Sequence, residues 1–320
     1  MYKRQGFLIE PEARNTVSEY GEKIELLNTI LDIMRNHSKQ MTYLFDLHTT
    51  SSQSIPFISI SDTLKNRRIT RKIPVPLVLG LEELLDGPMF SFFSELGLST
   101  VLFEGGQHNA YSSLENHMAF IWMILHEIGC IKKRDVPEFH QYEEILKKNS
   151  LNESRIFELK YRHLIEEGEQ FSMKDGFANF QPVKKGEVVA RNQHRFIKAP
   201  RQGRIFMPLY QSLGKDGYFL VKEIDPMWLR ISGRTRKWRM EHILRLMPGI
   251  AREKRKQDAF KVDKEIAKWR VLSFFHLLGY RKVTDNGHYF TVRRRPFDRR
   301  FPKTSSVIKN VETYLEKITK

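Results

Sequence analysis

The 320-residue chain has a single cysteine, Cys130. No internal disulfide can form, and a reducing compartment is the natural expectation. Long apolar runs are missing too. The longest, from Met118 to Leu125, falls far short of the roughly 20 residues that span a bilayer. The opening stretch, MYKRQGFLIEPEARN, has basic side chains but lacks the apolar run of roughly 7–15 residues that makes a secretory signal. These absences predict a cytoplasmic protein with no membrane contact. Acid is scarce in one region only. Residues 224–320 hold 25 Lys and Arg against 10 Asp and Glu, while residues 1–223 hold 29 against 28. Nearly all of the net charge of +16 therefore sits in the last third, which predicts a separate basic module.

What is present predicts an α/β chain with more than one core. Apolar residues make up 40% of the sequence, enough at this length to bury two or three cores. Ile24, Leu27, Ile30, Leu31 and Met34 recur at helical spacing over residues 19–36. YLFDLH, SIPFISISD and LSTVLFEGGQH read as buried strands. The last of these is expected to stop at Gly105 and Gly106. Segment 73–87 starts extended, because residues ahead of proline avoid the helical region, and LENHMAFIWMILHEIG predicts a helix ended by Gly129. Near-continuous apolar strands separated by helices indicate a largely parallel sheet covered on both faces.

After residue 150 the texture changes. Short strands broken by Asp175-Gly176, Lys185-Gly186 and Asp216-Gly217 predict a small all-β domain over 151–223. VKKGEVVA followed by IKAPRQGRI looks like the barrel-sandwich of biotinyl and lipoyl domains, although the attachment lysine of those carriers is not evident. Residues 224–320 read as a basic, mainly helical extension with a hairpin-like end at GHYFTVRRRP.

Asp46 and His48 are two residues apart, so on a strand they share a face, and they end an apolar run where open α/β sheets bind ligands. Glu104 directly follows Val101, Leu102 and Phe103, a costly place for a carboxylate unless it is paired or lies at the strand tip. The two glycines behind it allow close backbone approach. If the two strands are neighbours, Glu104 and His48 share one pocket, and a carboxylate near a metal-bound water is the usual base of a zinc hydrolase. HEIGC at 126–130 does not make a metalloprotease motif, because its second histidine would fall on Cys130. His117 reads as a packing or surface residue. RTRKWRM and RRRPFDRRF mix arginine with aromatics, which suits phosphate contact and base stacking. A basic face docked on acidic patches elsewhere in the chain is the preferred alternative.

LFDLHTTS followed about fifty residues later by TVLFEGGQH resembles the succinylglutamate desuccinylase/aspartoacylase family, zinc-dependent deacylases related to zinc carboxypeptidases. YRHLIEEGEQFSMKDGFANFQPVKKGEVVA and APRQGRIFMPLYQSLGKDGYFLV are similar to the β-domain of the same family, so the resemblance spans roughly residues 40–223. It implies a zinc-carboxypeptidase-like, mostly parallel sheet over 1–150, incomplete at its N-terminal side, then the β-domain and the extension. It implies a hydrolase, an amidohydrolase that cleaves the amide of a small N-acylated amino acid. His48 resembles a zinc ligand, Glu104 the catalytic glutamate, and Asp46 a supporting neighbour of His48. Tyr218 falls near a substrate-pocket tyrosine. Arg14, in PEAR, is the nearest candidate for the arginine that holds the substrate carboxylate. The family's other two zinc ligands come from a His-x-x-Glu motif, but no histidine precedes His37. Ser94 stands where aspartoacylases carry an arginine. The expectation is therefore a chain that binds zinc poorly and hydrolyses N-acyl amino acids negligibly. The rival expectations are an inactive ligand-binding homologue and a polyanion or nucleic-acid binder acting through residues 224–320.

Overall fold

The computed structural model describes residues 18–319 apart from 86–88, 212–213, 239–243, 245, 254–257, 267–270 and 286. The chain opens with α1 (Ser18–Asn36), β1 (Tyr43–Thr50), β2 (Phe57–Ile60), α2 (Leu64–Thr70), β3 (Leu77–Leu79), α3 (Leu81–Leu84), α4 (Met89–Leu96), β4 (Ser99–Gln107), α5 (Tyr111–Glu127) and α6 (Phe139–Asn149). Seven strands follow: β5 (Ile156–Leu164), β6 (Ser172–Met173), β7 (Pro182–Val183), β8 (Val188–Arg191), β9 (Phe196–Lys198), β10 (Gly203–Phe206) and β11 (Asp216–Ile224). The last part is α7 (Pro226–Lys237), β12 (Ile250–Arg252), β13 (Ala259–Asp263), α8 (Val271–Leu277), β14 (Tyr280–Asp285), β15 (Tyr289–Arg294) and α9 (Thr304–Thr319).

An eight-stranded sheet in the order β1-β4-β2-β3-β5-β11-β10-β7 runs through the first two thirds of the chain. The pairs β1/β4, β2/β3 and β3/β5 are parallel and β2/β4 is antiparallel. From β5 onward every pairing is antiparallel. On one face, Ile58, Ile60, Val101 and Phe103 pack against Ala119, Phe120 and Met123 of α5. On the other face, Phe57, Val78 and Leu102 pack with Phe90 of α4. Burial on both faces explains why these strands are apolar throughout.

Residue 150 is no break in this sheet, because β5 carries it across into the second region. A three-stranded sheet, β6-β8-β9, covers the far end. The core between the two holds Met173, Val189, Ala190, Ile205, Tyr218 and Leu220.

The last third is helical over α7, α8 and α9, and it also holds a sheet that its composition did not announce. β12-β13-β15-β14 form an antiparallel four-stranded sheet. Phe260 and Val262 are buried and Lys261 between them is exposed. That alternation has the period of a strand, not of a helix. The hairpin-like end expected at GHYFTVRRRP falls on β15, which pairs antiparallel with β14, and beyond it α9 packs Val307, Val311 and Leu315 against Leu27, Leu31 and Met34 of α1. The helix expected over WLRISGRTRKWRMEHILRLMPGI falls partly outside the described residues; within it, α7 runs to Lys237.

Candidate functional site

β1 and β4 run side by side, and their register makes His48 the direct partner of Glu104. Parallel register partners point to the same face, and neighbouring strands lie about 4.8 Å apart. Alternation puts Asp46 on that face as well. Its carboxylate Oδ1 accepts a hydrogen bond of 2.7 Å from His48 Nε2. In the neutral ring this leaves Nδ1 with the lone pair. Side-chain exposure is 36% for His48 and 12% for Asp46, whereas Glu104 is only 1% exposed. On its other side Glu104 is the register partner of Phe57, a fully buried residue. A buried carboxylate thus stands between an aromatic strand and a solvent-reaching imidazole.

The glycines after Glu104 do not end the strand, as the sequence reading expected; β4 continues to Gln107. Their use is close approach. A Cβ on Gly105 would lie 2.3 Å from Cε1 and 2.5 Å from Nδ1 of His117. Gly106 has φ +125, a backbone conformation suited to glycine. His117 Nδ1 is 2.7 Å from the Ser113 carbonyl, and Nε2 is 3.0 Å from the His48 carbonyl. Its ring meets Phe103 edge-on at 5.4 Å. His117 therefore ties α5 to both strands of the site, a larger part than the sequence reading gave it. Asn116 adds a second tie, donating to the Gly105 carbonyl at 2.7 Å.

The second region reaches the strand ends through Asn179, whose amide donates to Ser54 Oγ at 2.8 Å. Tyr218 is not brought there. It is fully buried in the distant core and stacks on His163, with ring centroids 5.1 Å apart. Burial pushes its phenol pKa up, and the neighbouring Tyr161 adds to the rise. Arg14 lies outside the described residues. Ser94 is buried on α4. His108 Nδ1 sits 2.6 Å from Thr49 Oγ1, on the residue next to His48. His126 packs edge-on against Phe139, and Cys130 is exposed.

A catalytic zinc normally takes three protein ligands and keeps one position open. Among the described residues no group of three or more His, Cys, Asp or Glu is placed to hold a metal ion. The donors present do not fit a zinc centre. Among the described residues no helix is long and apolar enough to cross a membrane.

No family model matches the chain, and no curated protein matches it. Among solved structures, those it is similar to are of the succinylglutamate desuccinylase/aspartoacylase family. The succinylglutamate desuccinylase from Vibrio parahaemolyticus is 13% identical with a TM-score of 0.45, over 70% of this chain and 66% of that one. The succinylglutamate desuccinylase/aspartoacylase from Rhodobacter sphaeroides is 14% identical with a TM-score of 0.41, over 57% and 58%. The product-bound ectoine utilization protein EutE (DoeB) from Ruegeria pomeroyi is 18% identical with a TM-score of 0.42, over 61% and 62%. The chain spans less than two thirds of the length of each.

Proposed function

We propose that this chain is built as an amidohydrolase of the succinylglutamate desuccinylase/aspartoacylase type, with its site on the ends of β1 and β4 and a small N-acylated amino acid as its ligand. In this reading Glu104 takes a proton from water and His48 is one donor of a zinc set. The described residues do not complete that set, so no step is derived through the metal. The single observation that carries the reading is the register pairing of His48 with Glu104. It brings His48 and Glu104, from two separate motifs, to one face of one sheet.

What the chain's own residues supply can be stated. Asp46 fixes the orientation and tautomer of the His48 ring, as carboxylate partners of imidazoles do. Glu104 is a carboxylate shielded from bulk water, in register with Phe57. His117 and Asn116 lock the backbone behind both.

The test is a titration of the purified chain with N-acetyl-aspartate and N-succinyl-glutamate, followed by the histidine ring signals in NMR and by release of free amino acid. The His48 signals should move with ligand and should move less in Glu104→Gln. Turnover should be negligible. If ligand moves only other histidines, or none, the site assignment is wrong.

A further inference from the structure

The basic charge of the last third divides into two populations. Some of its arginines are spent inside the protein. Arg236 is 0% exposed and pairs with Asp62 at 2.7 Å and Asp298 at 3.1 Å. Arg295 is held by Glu82 and Glu83, and Arg281 and Arg293 are held by Glu95. The docking of basic side chains on acidic groups elsewhere, the preferred reading of the sequence, accounts for these. It does not account for the outer face of α7. There Arg230, Arg234 and Lys237 are exposed, and none forms an ion pair with a described carboxylate. Spacings of four and three residues put them in one row along the helix.

One large aromatic side chain follows that row: Trp238, next to Lys237 at the end of α7, is 73% exposed. Soluble proteins do not usually leave tryptophan this open without a partner.

We propose that the outer face of α7 binds a single-stranded nucleic acid, with Arg230, Arg234 and Lys237 on successive phosphates and the ring of Trp238 stacked on a base. The charge is complementary to a phosphate backbone, and a cationic track beside an exposed aromatic ring is what sequence-tolerant single-strand binding requires. An anionic membrane fits less well. An interfacial helix turns its apolar face to the lipid, but Leu229 of α7 packs into the core under the large sheet. Only Met227, Trp228 and Trp238 remain for lipid. The track is separate from the strand-end site and does not rest on that reading.

The experiment uses the full chain with fluorescein-labelled oligo(dT) and reads fluorescence anisotropy over a range of salt. For three phosphates, the logarithm of the binding constant should fall against the logarithm of salt with a slope of about −2. Reversing the row with Arg230→Glu, Arg234→Glu and Lys237→Glu should weaken binding at least about tenfold at low salt and flatten the slope. The corresponding glutamine set serves if reversal disturbs folding, as judged by circular dichroism. Trp238→Ala should weaken binding at least about fivefold through lost stacking. Oligo(dT) should also quench the tryptophan fluorescence, less so in that variant. Equal binding by the reversed chain would overturn the proposal. So would binding to phosphatidylserine-containing vesicles without binding to oligo(dT).

Discussion

Two clusters of charged and titratable groups in this molecule are built differently. At the strand ends of β1 and β4, Asp46 accepts a hydrogen bond from the partly exposed His48 ring, and the carboxylate of Glu104 is buried beside them. At the junction where the last third meets α2 and α3, charged groups are more numerous and more buried, and arginines meet carboxylates at close range. All five N–H groups of the Arg236 side chain have acceptors: the Asp62 and Asp298 carboxylates and the carbonyls of Asp62, His276 and Leu277. His276 sits between Glu158 at 2.9 Å and Glu83 at 3.0 Å. Buried charge alone therefore does not mark a site. A dense set of opposite charges holds two parts of the protein together; the strand-end groups, where the His48 ring reaches solvent, are where the proposed chemistry would lie.

The largest effect should come from breaking the junction. Arg236→Met leaves Asp62 and Asp298 buried against each other, and removing one partner from a buried ion pair costs about 3–5 kcal/mol. Urea unfolding should show that loss. An unchanged midpoint would mean that the network does not hold the two parts together.

The next effect is a pH dependence with a fixed sign. Burial opposes the charge on His276, but Glu83 and Glu158 outweigh it and hold the pKa up at about 9. The unfolded value is about 6.5. The stabilisation is therefore complete below about pH 6.5 and is lost as pH rises through about 9. It amounts to something on the order of 3 kcal/mol. His276→Ala should remove the loss between these values. Asp62 works in the other direction. Its carboxyl is held well below the usual range although burial opposes this, because Arg236 and Arg67 stabilise its charge. That contribution is present above about pH 3.9 and is lost on acidification.

At the strand ends, Gly105→Ala should cost about 1–3 kcal/mol, because the new methyl overlaps the His117 ring and the site is already packed. The double change with His117→Ala should recover part of the loss. Thermal unfolding checks both. The smallest effect belongs to the α7 row: its charge reversal should shift stability by no more than about 0.5 kcal/mol while it removes oligonucleotide binding. A large loss of stability there would place α7 among the junction elements.

The two regions were also unequally legible in the sequence. The strand-end pair could be read because a buried strand must be apolar, so Asp46, His48 and Glu104 stood out as exceptions at its end. The helices α1 and α5 announced themselves by spacing. The glycines were read as a stop when their use was to admit His117, a contact made across 12 residues that no local pattern encodes. The junction was not legible at all. Arg236 and Asp62 are 174 residues apart, and only the fold pairs them. The inner strands of the last third were missed because they are short and rich in Arg and Lys, which favour helix by propensity. Phe260, Val262 and Val292 instead turn to one core, and tertiary packing decided the outcome. Tyr218 was placed by analogy of motif, and the second core claimed it.

Zinc content tests the central claim most directly: the strand ends hold part of a hydrolytic centre, and the described residues do not complete it. After dialysis against micromolar zinc, elemental analysis of the chain should find far less than one zinc per molecule. His48→Ala and Glu104→Gln should leave that figure unchanged. One zinc per chain, lost in His48→Ala and accompanied by release of amino acid from N-acetyl-aspartate or N-succinyl-glutamate, would contradict the account.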